Sequence, residues 1–394
     1  MRDAYIVTSV RTPGCRRNKG AFKDTRPEEL LSFILKSAVE KTPGLAPAMI
    51  DDVMVGCAFP EAEQGLNIGR IAARIAGFPE TVGGATVNRF CASGLEAIAL
   101  CAMRIMTGWS DIAVGGGVES MTFVPMGGNQ PRPDADFTRE HPDLYVSMGI
   151  TAENVASRYN ISRKDQDEFA CQSQMKAAAA LKGQLFKEIV PTPAVKFVMQ
   201  ADGTYKKETF LQDFDDGIRP TTTVEDLSKL FPVFRANGSV TAGNSSQTTD
   251  GAAASVIMSG EMAKKLAVTP VAKLKYYTTV GCRADEMGVG PRYAIPKLLK
   301  MAGLTVDDIG LWEINEAFAS QALYCIRELG IDKYMDRINV FGGAIALGHP
   351  LGCTGAKLCA QLVNRMKERG VRYGVESMCI GGGMGAAALF ELCE

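Results

Sequence analysis

Histidine is nearly missing from this sequence. His141 and His349 are the two in 394 residues, so any chemistry that needs an imidazole has two candidates. A charge excess is missing too: 43 basic side chains meet 44 acidic ones, for a formal net charge of −1. That balance argues against a nucleic-acid or anionic-membrane partner and still allows a local basic pocket for a phosphorylated ligand. No C-x-x-C pair occurs among the eleven cysteines, and eleven is odd. Free thiols in a reducing compartment fit this better than a disulfide framework. The first residues, Met1 to Val7, lack a basic flank ahead of an apolar run, so no signal peptide is expected. No stretch reads as the roughly 18 apolar residues of a spanning helix, so membrane insertion is not expected. The end, Glu391-Leu392-Cys393-Glu394, carries no Ser-Lys-Leu address, and a cytoplasmic location is the expectation. Aromatics are scarce, whereas 41 glycines fit close-packed backbones and many turns.

What is present has internal order. Ile50–Val55 is echoed by Val306–Leu311, Cys91-Ala92-Ser93-Gly94 by Gly352-Cys353-Thr354-Gly355, and Ala113–Gly117 by Cys379–Gly383. The offset grows slowly, which predicts a duplicated βα unit with small insertions. Gly-Val-Glu-Ser-Met also occurs twice, from Gly117 and from Gly374, in another register, and is read as coincidence. Apolar runs predict strands at 6–10, 52–55, 112–114, 273–278 and 311–314. Helical spacing covers 28–41, 92–107, 293–301 and 355–367, with Gly108 as a stop. This alternation predicts an α/β architecture. Between the halves, Phe123–Tyr145 reads as a surface loop, and Ser162 caps a helix to Leu181 with Asp165 in a loose capping box. Another irregular stretch runs through Pro220 to Gly243. The expected units are residues 1–120 with 248–270, an insertion at 121–247 suited to substrate-binding loops, and 271–394.

Four segments carry candidate chemistry. Cys91 lies at a strand-to-helix junction, where the helix dipole is expected to lower its pKa and enrich the thiolate. A buried structural cysteine is the commoner case, so position alone brings the two readings only level. His349 sits among glycines at the matching junction of the second half, and a pseudo-twofold body would bring both helix starts to one cleft. There an imidazole activates a thiol. Cys379 ends a strand before Gly381-Gly382-Gly383, suited to proton transfer beside amides that bind an oxyanion. A metal is not expected, because the short local ligand spacings of zinc sites are absent. Asn315 ends a strand in Glu313-Ile314-Asn315-Glu316-Ala317-Phe318, where its amide is suited to position a water or the histidine.

Together these motifs resemble the thiolase family over essentially the whole chain: Val-Asn-x-x-Cys-x-Ser-Gly, Asn-Glu-Ala-Phe, Gly-Gly-Ala-Ile-Ala-x-Gly-His-Pro and Cys-Ile-Gly-Gly-Gly-Met-Gly, in the family's order. The resemblance implies the thiolase fold, two βα halves in a five-layer α-β-α-β-α sandwich with an inserted loop domain. It implies Cys91 as the acylated nucleophile, His349 as its activator, and Cys379 as acid/base at the α-carbon. A water on Asn315, with His349, would hold the thioester oxygen, and the amides of Cys91 and Gly381 would form the second oxyanion hole. Coenzyme A would be a substrate rather than a bound cofactor. It would meet Ser246 along the pantetheine and Arg219 at the adenine and phosphate end, with Met148, Phe234, Met287 and Phe318 lining the thioester tunnel. Met and Phe are more often core, so these four are softer than the polar assignments. A homodimer or homotetramer is implied as well.

Ser147 stands where biosynthetic acetoacetyl-CoA thiolases usually carry histidine, and His349–Gly355 and Met384–Phe390 look closer to degradative 3-ketoacyl-CoA thiolases. Thiolysis of 3-ketoacyl-CoA is therefore the expected reaction, ahead of acetyl-CoA acetyltransferase activity. A 3-ketoacyl synthase gives Cys379 no place and asks for a second histidine, which His141, in a charged loop, does not supply. A non-catalytic lipid carrier of the same fold would be expected to have lost one of Cys91, Asn315, His349 or Cys379. A Cys-His-Asn hydrolase leaves the paired thiols and the duplication unexplained.

Overall fold

The computed structural model describes residues 2–393. The N-terminal half carries β1 (Ala4–Arg11), β2 (Asp52–Gly56), β3 (Ala85–Val87), β4 (Ile112–Ser120) and β5 (Thr249–Ser259). The C-terminal half carries β6 (Ala272–Gly281), β7 (Leu311–Ile314), β8 (Tyr373–Ile380) and β9 (Met384–Leu392). Their order is β7-β8-β9-β6-β1-β5-β4-β2-β3. Each half thus lays down matching strands outward from a seam, where β1 meets β6 antiparallel with Tyr5 opposite Lys273. Helices α1 (Pro27–Glu40) and α2 (Ile68–Ile75) cover one outer face, and α4 (Gly290–Ala302) and α5 (Ala319–Glu328) cover the other. Between the sheets lie α3 (Ser93–Thr107) and α6 (Thr354–Arg369), in a core shared by both halves. This is the five-layer sandwich expected.

The centre explains the glycines. A Cβ on Gly94 would lie 2.6 Å from the Ala356 nitrogen, and one on Gly355 2.4 Å from the Leu95 nitrogen, so α3 and α6 meet backbone to backbone at their starts. β4 and β5 are buried at every position although their sequences, IAVGGGVES and TDGAAASVIMS, are poor strand formers. That composition hid most of β4 and all of β5 from periodicity. Residues Phe90–Thr107 do reach the length and hydropathy of a spanning helix, 18 residues at a mean hydropathy of 1.4, contrary to the sequence expectation. They are the core helix between two sheets.

Only one of the three sequence echoes is in structural register. Ser93 and Thr354 open equivalent helices. Asp51, however, matches Gly310, each bonded through its amide to the first residue or carbonyl of the neighbouring strand (Ile112 and Tyr373), so Asp307-Asp308 fall in the turn before β7. Ala113 lies near the start of β4, opposite Asp52, whereas Cys379 lies near the end of β8. The duplication rests on strand order, not on those two echoes. The Gly-Val-Glu-Ser-Met pair is out of register, as read: Gly117 faces Gly56 at the end of β2, and Gly374 faces Leu311 at the start of β7.

Residues 121–247 hold helices Met148–Arg158 and Arg163–Lys182 and a hairpin, Thr192–Met199 with Tyr205–Gln212, that the sequence reading missed. Ser162 caps the longer helix through the Asp165 amide, but the Asp165 carboxylate pairs with Arg327 at 2.9 Å instead of closing the box. The 123–145 loop contains a short helix, Ala135–Glu140, capped by Asp134.

Candidate active site

Cys91 stands in a 3-10 turn, Phe90–Ala92, that runs into α3. Phe90 adopts φ +43°, a left-handed conformation that costs a bulky residue of order 1 kcal/mol. Asn88 Oδ1 accepts from the Phe90 amide and Ser93 Oγ from the Arg89 amide, each at 2.8 Å, and these bonds hold the turn. The helix start was expected to lower the thiol pKa. Burial wins instead and pushes it up to about 11, although the amides of Gly381 and of Cys91 itself are directed at the sulfur and oppose the shift. The resting nucleophile is a neutral thiol facing two backbone donors.

His349 is buried, with Asn315 Nδ2 at 3.3 Å from its Nε2. An amide nitrogen only donates, so Nε2 is the acceptor and the ring proton is on Nδ1. Nδ1 then donates to Thr354 Oγ1 at 2.6 Å, and Thr354 donates onward to the Pro350 carbonyl at 3.0 Å. Burial, followed by the charge of Lys357, pushes the imidazole pKa down to about 3. A neutral base with a fixed tautomer results. Asn315 Oδ1 is buried without a protein partner and is the acceptor left for a water or a substrate group.

Cys379 is buried at the end of β8, and burial, then a charge on Cys91, push its thiol well up. The side-chain amide of Gln321 lies 3.2 Å from its sulfur. The amide orientation that satisfies both the Asn315 carbonyl and the Ala322 amide turns NH2 toward that sulfur. Cys379 also shares an apolar cluster with Met148, Ala152, Val240, Met287, Ala317 and Phe318. Phe234 meets Phe318 edge-on at 6.0 Å. Four expected tunnel residues therefore converge beside the second thiol. Gly381 follows Cys379, and a Cβ there would point toward the Met148 sulfur at 3.6 Å.

Ser246 is fixed by its amide on the Ala317 carbonyl at 2.9 Å, which ties the insertion to the Asn315 loop. Arg219 is exposed and lies outside the thiol cluster, lining a hollow with Gln174, Thr222, Gly243 and Gln247. His141 is exposed against Phe137 and has no part in the site.

Three polar residues were missed by the sequence reading. Thr354 follows His349 by five residues, inside a motif already quoted, and Gln321 lies on α5 one turn beyond the Asn315 loop. Glu119 gave no local signal. Its carboxylate accepts from the amides of Ala58 (2.8 Å), Phe59 (3.3 Å) and Gly352 (2.7 Å) and from Gln64 Nε2 (2.8 Å). It thereby clamps the turn before α6 against the loop after β2, beside a cluster of Ala58, Cys91, Met121 and Leu351.

Comparison with known proteins gives the family. The thiolase N-terminal domain profile matches residues 4–261, and the thiolase C-terminal domain profile matches residues 268–392. The chain belongs to the thiolase family. It is 50% identical over 394 residues to a 3-ketoacyl-CoA thiolase of Bacillus subtilis (strain 168), covering 100% of both chains. Among solved structures it is similar to the dimeric peroxisomal thiolase of Saccharomyces cerevisiae, with TM-score 0.88, 40% identity, and coverage of 100% and 98%. It is likewise similar to the Bacillus anthracis acetyl-CoA acetyltransferase, with TM-score 0.89, 37% identity, and coverage of 100% and 99%.

Proposed function

We propose that this thiolase cleaves 3-ketoacyl-CoA with coenzyme A, giving acetyl-CoA and a shortened acyl-CoA, through an acyl group carried on Cys91. The observation that carries the reading is one site that holds two thiols, with a charge on Cys91 felt at Cys379, two amides on the Cys91 sulfur, and a neutral His349, oriented by Asn315 and Thr354, two residues before the Leu351 that packs on Cys91. In this scheme Cys91 Sγ attacks the 3-keto carbon as its proton passes to His349 Nε2. The new oxyanion falls to the amides of Cys91 and Gly381. The C2–C3 bond then breaks, the thioester enolate is held by His349 and a water on Asn315, and Cys379 protonates C2. In the second half, the coenzyme A thiol gives its proton to the Cys379 thiolate and attacks the acyl group. Cys91 departs and recovers its proton from His349. Every proton lent is returned, and two half-reactions through one acyl-enzyme give ping-pong kinetics.

The Bacillus subtilis relative supports the degradative direction, and the acetyltransferase neighbour supports the runner-up, condensation of acetyl-CoA. Initial-rate thiolysis of acetoacetyl-CoA beside longer 3-ketoacyl-CoAs distinguishes them. Higher kcat/KM on the longer chains is expected, and activity confined to acetoacetyl-CoA overturns the degradative reading. Coenzyme A is placed along Ser246, Phe234 and Met287 with its phosphates toward Arg219, and no permanently bound cofactor is needed. A cytoplasmic site of action fits eleven free cysteines.

The same reading extends to a homodimer. The short edge strand β3 is flanked by exposed Leu66, Ile71, Ile75 and Phe90, an apolar set suited to a second copy, and the yeast relative is dimeric. Light scattering is expected to return twice the 42.2 kDa chain mass. A monomer rejects the extension, and a tetramer would pair two such dimers.

A further inference from the structure

Lys357 breaks two rules at once. It lies in the first turn of α6, where a cation opposes the helix dipole, and it is 2% exposed. Its Nζ donates to the Gly348 carbonyl at 3.1 Å. Gly348 adopts φ +82° and ψ 161°, and a Cβ there would lie 2.3 Å from the Thr249 side chain, so this turn admits glycine alone. The other polar end of the same peptide, the His349 amide, donates to the Gln247 carbonyl at 2.9 Å. The peptide that carries the imidazole is thus gripped by α6 at its C=O and by the segment next to Ser246 at its N–H.

We propose that Lys357 is a positioning residue for His349: its buried ammonium fixes the Gly348–His349 peptide and presents the positive charge that keeps the imidazole an acceptor at Nε2. The groups around that charge do not cancel it. Arg11 from β1 adds a second cation, and Asp215 of the insertion is already bound to Arg11 through both oxygens, at 2.7 and 2.9 Å. Cys353, at the head of α6, is a neutral thiol pushed up by burial to about 12. From β7, Glu313 faces both Lys357 and Arg365, and Glu376 on β8 is its register neighbour. Glu376 has no hydrogen-bond partner on either oxygen, and Glu313 lacks one on Oε2. Burial pushes Glu313 up to about 8 and Glu376 well above the carboxylate range, so it favours the uncharged acid at both. Burial also brings Lys357 down to about 8, which still leaves it charged at pH 7.

The inference rests on His349 acting as proposed above, and the test separates the two. Wild type and the Lys357→Met, Lys357→Gln and Lys357→Arg proteins are compared for thiolysis from about pH 2.5 to 9, in brief assays started from enzyme held at pH 7 so that the window spans the His349 limb, and for the rate at which iodoacetamide alkylates Cys91. Wild-type thiolysis that is lost in His349→Ala secures the underlying reading, and the Lys357 results then bear on positioning alone. In Lys357→Met, kcat is expected to fall about tenfold or more with KM held within about threefold, and alkylation to slow in step. Loss of the charge raises the imidazole pKa, so the acid limb of kcat/KM moves to higher pH in both neutral variants, by about half a unit or more. Lys357→Arg keeps charge and donor and is expected to hold the limb where wild type has it. Should Lys357→Met not fold, Lys357→Gln, which fills the same space, carries the measurement. An acid limb and alkylation rate equal to wild type in the neutral variant overturn the proposal, as does a kcat loss that Lys357→Arg fails to restore.

Discussion

Cys91→Ala is expected to abolish thiolysis. The expected loss in kcat is about four to six orders of magnitude, because no other group can form the acyl intermediate, and what remains is catalysis by the oxyanion donors and by binding. Cys379, whose thiol feels a charge on Cys91, belongs to the apolar cluster of Met148, Met287 and Phe318, with the Gln321 amide at its sulfur. It is not poised to substitute. The change is gentle for the fold, since Ala fits a site lined by Ala58, Met121 and Leu351. Its melting temperature should stay close to wild type, which separates lost chemistry from lost structure. Mass spectrometry after incubation with acyl-CoA supplies a second readout: an acyl adduct in wild type and none in the variant. Residual kcat above about one hundredth of wild type, in protein free of host enzyme, would sink the nucleophile assignment.

The second large effect is expected on stability, from Arg11→Met. Arg11 is fully buried at the end of β1 and reaches Asp215 through two bonds and Glu188 through its Nε and a terminal nitrogen at 3.3 and 3.2 Å. Asp215 also accepts from the Gly14 amide at 2.6 Å, and Glu188 bonds Arg365 of α6. These contacts tie the insertion to both the first strand and the last helix. Without Arg11, Asp215 loses its buried cationic partner and Glu188 is left with Arg365 alone; breaking such a buried pair typically costs about 3–5 kcal/mol. Arg11→Lys should recover little of it, because an ammonium cannot reproduce the forked bonds. Equilibrium urea unfolding measures the loss, and a change below about 1 kcal/mol would show that water enters and solvates the carboxylates. A loosened insertion is also expected to raise KM for coenzyme A, since Arg219, Ser246 and Gln247 belong to it.

Much of the site was legible because its residues sit in short motifs with glycines that have no other use. Cys91, Asn315, His349 and Cys379 each lie where a strand or turn meets a helix or glycine loop, and those junctions can be read from order alone. The reading failed where long-range contact decides. Glu119 works through Ala58, Phe59 and Gln64 in one loop and Gly352 in another far along the chain, and β5 could not be seen because Gly and Ala positions are strands here only by being enclosed. Two of the three echoes misled because short runs of aliphatic, acidic or glycine residues recur often, and strand register is set by hydrogen-bonded neighbours.

The sequence by itself determined the family, the α/β class, the duplicated layout, and which side chains are available for chemistry: two histidines, two motif thiols, one asparagine. Those follow from residue identity and local order. The tertiary structure decided their protonation. Cys91 was expected to be enriched in thiolate at a helix start, but enclosure among Ala58, Met121 and Leu351 removes the water that would stabilise its charge, and the neutral thiol is favoured. The same enclosure makes His349 a neutral base, and packing alone brings Thr354, Gln321 and Lys357 to the positions that fix it and its neighbour. Charge states depend on what surrounds a group in space, and no local pattern along the chain records that.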